Sequence, residues 1–199
     1  MSLPNIAPGA RMRGPAAGVT YIFTHASENL SVAEFDVELE PGACDGWKPR
    51  HFHPNACEEI IVKRGRLDVR LRGERRELGE GESLIVPPGV PHGVRNAHHE
   101  TTLFTARHRP GGQFLRFLVT RSLIAAENAK RSADGLPLLP RALILNAYPG
   151  LDYAAGIPIW AQKPYFAALA AIARRRGYSL PVAPRQIVKR GGLTGVIRR

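Results

Sequence analysis

The sequence predicts a mainly β protein, with antiparallel strands in its first half and α-helices towards its C-terminus. Short stretches of alternating apolar and polar residues recur up to position 108, and helical spacing of apolar residues replaces them after the "RPGG" at 109–112. The 17 prolines and 20 glycines among 199 residues favour a turn-rich β architecture over a long helical bundle. Short strands without intervening helices are typical of an antiparallel barrel or sandwich.

The clearest predicted strand is "SVAEFDVELEPG" (31–42), because its apolar and acidic residues alternate strictly before a Pro-Gly turn. Its predicted inner face consists of Ala33, Phe35, Val37 and Leu39, and its predicted solvent face of Glu34, Asp36, Glu38 and Glu40. Asp68 is expected on the solvent face of another strand in the same way. The remaining strands are expected at 19–25, 58–65, 66–73, 82–89 and 101–108.

Three helices are predicted after residue 112. The segment 113–130 has helical spacing, although a strand is the competing interpretation of its Phe-Leu-Val run. A short helix is expected within 136–150, beginning after Pro140, and the strongest helix lies within 161–178, beginning near Pro164. An apolar stripe on this last helix is expected to pack in the core, and it comprises Phe166, Leu169, Ala170 and Ala173.

The net charge of +11 lies entirely in the C-terminal part of the chain. Residues 1–109 contain 14 basic and 14 acidic residues, whereas residues 110–199 contain 14 basic and only 3 acidic ones. Such a surface could meet nucleic acid, an acidic membrane surface or an acidic partner, although a solvated face is the simpler interpretation. Nucleic-acid binding is not expected, because the basic segments 173–178 and 188–192 match no DNA-reading motif and lack interleaved aromatic residues.

A candidate metal site lies in "RHFHPNACEE" (50–59). His51 and His53 are two residues apart, so on an extended strand they project to the same side. The Pro-Asn turn after them allows Glu58 to return to the same point, and "PPGVPH" (87–92) supplies His92 from a stiff turn. Imidazole and carboxylate together suit a divalent transition metal such as Fe, Mn, Ni, Zn, Co or Cu, and do not choose among them.

These two stretches resemble the two sequence motifs of the cupin superfamily. The first motif is matched by a glycine, His-x-His, a glutamate and a later glycine, at Gly46, His51, His53, Glu58 and Gly65. The second is matched by Gly81, Pro87, Gly89, His92 and Asn96. One departure is the spacing of four residues rather than five between Gly46 and His51, which leaves the ligands untouched. A single motif pair indicates a single-domain cupin with a conserved barrel of the cupin 2 type.

The resemblance implies a fold, a site and a set of partners. The fold is an antiparallel double-stranded β-helix, or jelly roll, in which His51, His53, Glu58 and His92 hold one metal ion. The expected organisation is an N-terminal arm at 1–18, a barrel at 19–110, a helical extension at 111–178 and a flexible basic tail at 179–199. A homodimer is expected, with a small-molecule substrate or ligand as partner. No apolar run is long enough for a transmembrane segment and no signal core opens the chain, so we expect a cytoplasmic protein.

Two functions remain open from the sequence. The first is a metalloenzyme, dioxygenase-, isomerase- or decarboxylase-like, that acts on a small acid, enol or phenol. The second is a non-catalytic cupin that binds or senses a small ligand, with its basic helical tail docked on a partner. Candidates for an apolar pocket wall are Tyr21, Phe23, Phe35, Trp47 and Phe104, while His25 and His108 could also line the barrel.

Overall fold

The computed structural model describes residues 6–24, 30–45, 50–128 and 136–184, together with the backbone of 187–190 and 193–196. The first ten strands are β1 (Arg11–Arg13), β2 (Val19–Ile22), β3 (Ala33–Leu39), β4 (His51–Phe52), β5 (Cys57–Arg64), β6 (Leu67–Leu71), β7 (Glu74–Leu78), β8 (Ser83–Val86), β9 (His92–Arg95) and β10 (Thr102–Arg109). They are followed by α1 (Phe114–Asn128), α2 (Leu138–Ala147), β11 (Tyr153–Ala154), α3 (Ile159–Arg175), β12 (Ile187–Arg190) and β13 (Leu193–Val196).

Two antiparallel sheets form a jelly-roll β-barrel. The larger sheet has the strand order β1-β2-β3-β10-β5-β8, and the smaller has the order β11-β4-β9-β6-β7. Neighbours that are distant in sequence, such as β3 and β10, lie side by side in this arrangement. The prediction of a mainly antiparallel β fold with C-terminal helices is confirmed, and the barrel is the correct one of the two architectures that the strand pattern allowed.

The alternation in β3 determines which side chains enter the barrel. Phe35, Val37 and Leu39 are buried, as the period of two requires. Asp36 and Asp68, both expected on a solvent face, are buried as well. Lys63 and Thr105 donate to the Asp36 carboxylate at 2.9 and 2.7 Å, while Asp68 is paired with Arg75 and Arg95. Ion pairs and hydrogen bonds from neighbouring strands therefore replace the water that these carboxylates would otherwise need.

The segment after residue 112 is helical, and the competing strand interpretation is wrong. Helix α1 buries nine residues, and its Phe114, Phe117 and Leu118 belong to the same hydrophobic cluster as Phe35 and Phe104 of the barrel. The helical extension and the barrel thus share one core.

The predicted starts of the other two helices are too late. Helix α2 begins at Leu138, before Pro140, and α3 begins at Ile159, before Pro164. Pro140 is tolerated because the amides of a first helical turn have no intrahelical acceptor. The expected stripe on α3 is confirmed in part: Ala170 and Ala173 are buried against α2, whereas Phe166 and Leu169 are only half-buried.

Both chain ends contain more regular structure than expected. In the N-terminal arm, β1 pairs with β2, and in the C-terminal tail β12 pairs with β13. Val182 is buried, and its carbonyl accepts a hydrogen bond of 2.9 Å from the Tyr148 hydroxyl. Among the described residues, no helix has both the length and the apolar character needed to span a membrane.

Candidate metal centre

The four predicted metal ligands lie together inside the barrel. His51 lies on β4, His53 just after it, Glu58 on β5 and His92 on β9. One ligand atom from each lies within 4.8 Å of the corresponding atoms of the other three. His51 and His92 are direct partners in the β4–β9 register, and their ring centroids are 4.4 Å apart. The structure therefore brings together residues that are up to 41 positions apart, as the spacing predicted.

The turn before His92 also holds the chain that carries His53. Gly89 has a φ of +75°, a left-handed conformation that favours glycine because it has no Cβ. In that conformation its amide donates to the carbonyl of His53 at 2.8 Å, and the Val90 amide donates to Pro87 at 3.2 Å. The second motif thus positions the backbone of the first by a direct hydrogen bond.

Backbone carbonyls orient two of the imidazole rings. His92 Nδ1 lies 3.0 Å from the carbonyl oxygen of Val90, and His53 Nδ1 lies against the carbonyl oxygen of Leu151. A carbonyl can only accept, so Nδ1 carries the proton in both rings and the neutral ring has its lone pair on Nε2. Such outer hydrogen bonds are how metal-ligating histidines are held in protein sites.

The Nε2 atoms of His53 and His92 face the buried carboxylate of Glu58. Glu58 Oε2 lies 2.8 Å from His92 Nε2 and 3.4 Å from His53 Nε2. All three atoms are buried and have no partner of hydrogen-bond geometry within the described part of the chain. Two imidazole lone pairs and an anion packed together repel one another unless a proton or a cation lies among them. The residues therefore fit a divalent transition metal with nitrogen and oxygen ligands.

The charges of these groups depend on their burial and on one another. Burial opposes ionisation of Glu58, but the imidazoles of His108 and His92 outweigh it and hold the pKa of Glu58 well below 4.5. Burial likewise opposes a charge on His92, yet the Glu58 carboxylate raises the pKa of His92 above 6.5. Burial lowers the pKa of His51 to about 4. At neutral pH the cluster thus contains an anionic carboxylate and at least one neutral imidazole, both in the form that binds metal.

The family to which this region of the chain is similar agrees with the position of the four candidate ligands. The sequence model of the Cupin_2 family, described as a cupin domain, matches residues 35–106, which include all four candidate ligands. Residues 35–106 form a cupin domain.

Two relatives match this chain over similar lengths. Quercetin 2,3-dioxygenase from Bacillus subtilis is 36% identical over 69 residues, which are 35% of this chain and 20% of that protein. Germin-like protein 3-8 from Oryza sativa subsp. japonica is 43% identical over 68 residues, which are 32% of this chain and 29% of that protein. The chain thus spans less than a third of each relative. Among solved structures, KdgF from Halomonas sp. is 20% identical over 50% of this chain and 86% of that chain, with a TM-score of 0.43.

A cavity of about 700 Å³ lies beside the four candidate ligands of the cupin domain. Its wall includes three of the aromatic residues predicted from the sequence, Tyr21, Phe35 and Phe104. Phe23 is buried in the core away from this wall, and Trp47 lies outside the described residues. Cavities of this size hold small organic molecules.

A fifth histidine of the barrel also borders the cavity. His108 is buried, stacks on Phe114 at a centroid distance of 3.7 Å, and places Nε2 3.8 Å from Glu58 Oε1. Burial lowers the pKa of His108 to about 3, so its ring is neutral at physiological pH. The expectation that His108 could line the barrel is confirmed, whereas His25 lies outside the described residues.

The segment after the cupin domain supplies contacts that motif analysis did not find. Tyr153 and Ala154 of β11 pair with Phe52 and His51 of β4, which places residues 151–154 along the strand that carries a candidate ligand. Asp152 lines the cavity and forms an ion pair of 3.1 Å with Arg121 of α1. One signal was present in the sequence, because Asp152 is one of only three acidic residues in 110–199.

Proposed function

We propose that this chain is a metal-binding cupin that acts as a small-molecule metalloenzyme. In this proposal His51, His53, Glu58 and His92 hold one divalent ion of Fe, Mn, Ni, Zn, Co or Cu. The single observation that carries it is the buried convergence of two imidazole Nε2 atoms and the Glu58 carboxylate without hydrogen-bond partners. A bound ion would act as a Lewis acid or would activate a substrate towards oxygen.

We infer a dioxygenase-, isomerase- or decarboxylase-like reaction, most simply that of a metal-dependent oxidoreductase. Four protein ligands leave about two positions of a six-coordinate ion for small molecules. The wall of the cavity beside these ligands includes aromatic and aliphatic side chains, and its volume leaves room for an organic substrate. The similarity to quercetin 2,3-dioxygenase supports the oxygen-dependent alternative most directly.

The test combines metal content with oxygen consumption. The metal content of the purified protein is measured first, and oxygen uptake is then followed with Fe(II) against quercetin, small acids and diols. We expect about one ion per chain and uptake with at least one compound, both lost in His53→Ala and both retained in the matched variant His99→Ala, since His99 is exposed. Uptake that persists without bound metal in His53→Ala would contradict the proposal.

The alternative is a non-catalytic cupin that senses a small ligand and docks a partner through its basic tail. The concentration of the whole net charge of +11 in residues 110–199 favours it, as do the exposed Arg174, Arg175 and Arg176 at the end of α3. Stoichiometric metal without turnover of any compound in the panel would favour this alternative over the enzyme.

We also propose the cellular and assembly properties that the sequence suggested. These are a cytoplasmic homodimer without nucleic-acid partners, and an organisation into an arm (1–18), a barrel (19–110), a helical extension (111–178) and a basic tail (179–199). The dimer is carried over from the resemblance to cupins. Light scattering of the purified chain tests it, and a monomeric mass at micromolar concentration would contradict it.

A further inference from the structure

The helical extension places one ion pair in the wall of the metal-side cavity. Arg121 of α1 and Asp152 of the α2–α3 connection both line the cavity that contains the four candidate ligands. Their side chains are only 18% and 13% exposed, and Arg121 Nη1 donates to Asp152 Oδ2 at 3.1 Å. Both residues lie beyond 35–106, so they are features of this chain's extension rather than of the cupin match.

The Arg121 guanidinium retains hydrogen-bonding capacity towards the cavity. It has five N–H donors, and within the described part of the chain Nη1 donates to Asp152. The guanidinium carbon lies 5.0 Å from the centroid of the Phe117 ring, which supports the group from one side. Asp152 thus holds one terminal nitrogen of the guanidinium and leaves the other donors for a ligand. A fixed planar fork of this kind matches a carboxylate better than a flexible ammonium would.

Asp152 is ionised in this environment. Burial would raise its pKa, but the nearby His51 imidazole and the Arg121 guanidinium outweigh burial and lower the pKa below 3.8. The pair is therefore a positive guanidinium positioned by a negative carboxylate.

The charges around the cavity favour an anionic ligand once a metal is bound. Three arginines line the cavity, Arg50, Arg121 and Arg141. Three acidic residues, Asp45, Glu58 and Asp152, line it as well, so the formal charges of the six side chains sum to zero. A divalent cation held by the candidate ligands would leave two positive charges in excess. An anion that enters from solvent would reduce this excess, and among the three arginines Arg121 is the one that is not solvent-exposed.

The rest of the cavity wall indicates what is attached to the anionic group. Val19, Val37 and Leu39 line it together with Phe35 and Phe104, and all five are buried apolar side chains. A ligand that fills this space gains affinity from apolar contact along most of its length and from one charged end.

We propose that the cavity binds an organic carboxylate with a mainly apolar body, whose carboxylate accepts hydrogen bonds from Arg121. Asp152 is a positioning residue that orients the guanidinium, and the apolar body lies against the aromatic wall near the metal ligands. The inference rests on the proposed function, because it names the substrate class for that same site. It also assigns the helical extension the role of selecting the substrate.

Binding of matched acids and amides tests the proposal. Phenylacetate, cinnamate and octanoate are titrated calorimetrically against the metal-loaded full chain, and each is compared with its own primary amide. We expect the acids to bind at least about tenfold more tightly than the amides, because the amide keeps the body and removes the charge. Arg121→Gln should abolish this preference, and Arg121→Lys should retain part of it because the charge remains and the fork is lost.

Removing Arg121 alone leaves Asp152 buried without its partner, which could unfold the chain. The double variant Arg121→Gln/Asp152→Asn keeps a neutral hydrogen-bonding pair of similar size and should fold while losing the preference for acids. Arg175→Gln is the matched control, since it removes the same charge from the exposed end of α3 and should leave the preference unchanged.

The measured metal content of every sample separates this proposal from the proposed function. Full metal content with equal affinity for acids and amides would overturn the carboxylate proposal and leave the metal centre intact. A wild-type preference for acids that persists in the double variant would overturn the assignment to Arg121, and so would an absence of binding by all three acids. Acid binding that depends on Arg121 in a chain that retains no metal would support the carboxylate site and contradict the proposed metalloenzyme.

Discussion

The barrel and the helical extension contribute different kinds of group to the same cavity. All four candidate metal ligands come from barrel residues 51–92, and their convergence follows from strand register and a glycine turn. The extension contributes the carbonyl of Leu151, which accepts from His53, and the Arg121–Asp152 pair in the wall. Ligand identity is thus encoded locally in the barrel, whereas the orientation of His53 and a charged part of the cavity wall come from a segment about 60 to 100 residues further along the chain.

Replacing two ligands of the barrel should have the largest effect. The double variant His51→Ala/His92→Ala removes half of the ligand set and leaves Glu58 buried with a single neighbouring ligand, so bound metal should fall from about one ion per chain to near zero. Elemental analysis after dialysis against metal-free buffer measures this. Full metal retention would mean that the ligand assignment is wrong.

A core substitution in the extension tests whether the two regions fold as one unit. Phe117 of α1 is fully buried and contacts Phe114 and Tyr148. Phe117→Ala should lower the free energy of unfolding by about 3–5 kcal/mol, from the lost apolar contact and the cavity left behind. Urea denaturation followed by circular dichroism should show a single transition, as for the barrel variant Val69→Ala, because both positions belong to one hydrophobic cluster. A separate early transition in Phe117→Ala alone would show that the extension unfolds independently.

Acid should destabilise the metal-free protein because two imidazoles are held neutral where the regions meet. Burial lowers the pKa of His108, which stacks on Phe114, to about 3, and that of His51, which pairs with Ala154, to about 4. Between these values and pH 6.5 the unfolded chain binds protons that the folded chain does not. Stability present above pH 6.5 is therefore lost as the pH falls, by roughly 2 kcal/mol per histidine at about pH 5.

Urea denaturation of chelator-treated protein at several pH values measures this loss. The raised pKa of His92 adds little to the dependence of the free energy of unfolding on pH below 6.5, because His92 is mostly protonated there in both the folded and the unfolded chain. His108→Phe should remove about half of the loss, since it leaves His51 as the other contributor. His99→Ala, an exposed control, should leave the loss unchanged. If His108→Phe lost as much stability with falling pH as the wild type, His108 would not be held neutral in the folded protein.

The difference between the barrel and the helical extension also explains which features the sequence could predict. The convergence of His51, His53 and Glu58 was predictable because residues i and i+2 of a strand share a side and the Pro-Asn turn returns the chain, and the resemblance to the cupin motifs completed the candidate set with His92. The strand β7, "ERREL", was missed because four of its five residues are exposed and no alternation marks it. Asp36 and Asp68 were placed on the solvent face because alternation takes no account of partners on other strands: Lys63 and Arg95 are each 27 residues away, and Arg75 lies on the missed strand β7.

The contribution of the extension to the site was also beyond sequence reasoning. The hydrogen bond between His53 and Leu151 joins residues 98 positions apart, and no local spacing encodes such a contact. Arg121 belongs to a helix whose apolar residues dominate its pattern, so a functional arginine there resembles any arginine of an amphipathic helix.

The smallest predicted effect concerns the segment that follows α3. The hydroxyl of Tyr148 is buried, donates to the Val182 carbonyl at 2.9 Å and lies 3.1 Å from Thr120 Oγ1. Tyr148→Phe removes this hydrogen bond and should lower the free energy of unfolding by about 1 kcal/mol. The Thr120 hydroxyl, whose Oγ1 lies 3.5 Å from the Val182 carbonyl oxygen, can replace the lost donor only weakly. The control Tyr178→Phe removes an exposed hydroxyl and should change stability very little. If thermal denaturation gave equal midpoints for both variants, the hydrogen bond from Tyr148 to Val182 would contribute nothing measurable to stability, and residues 180–184 would be held by the burial of Val182 in the core instead.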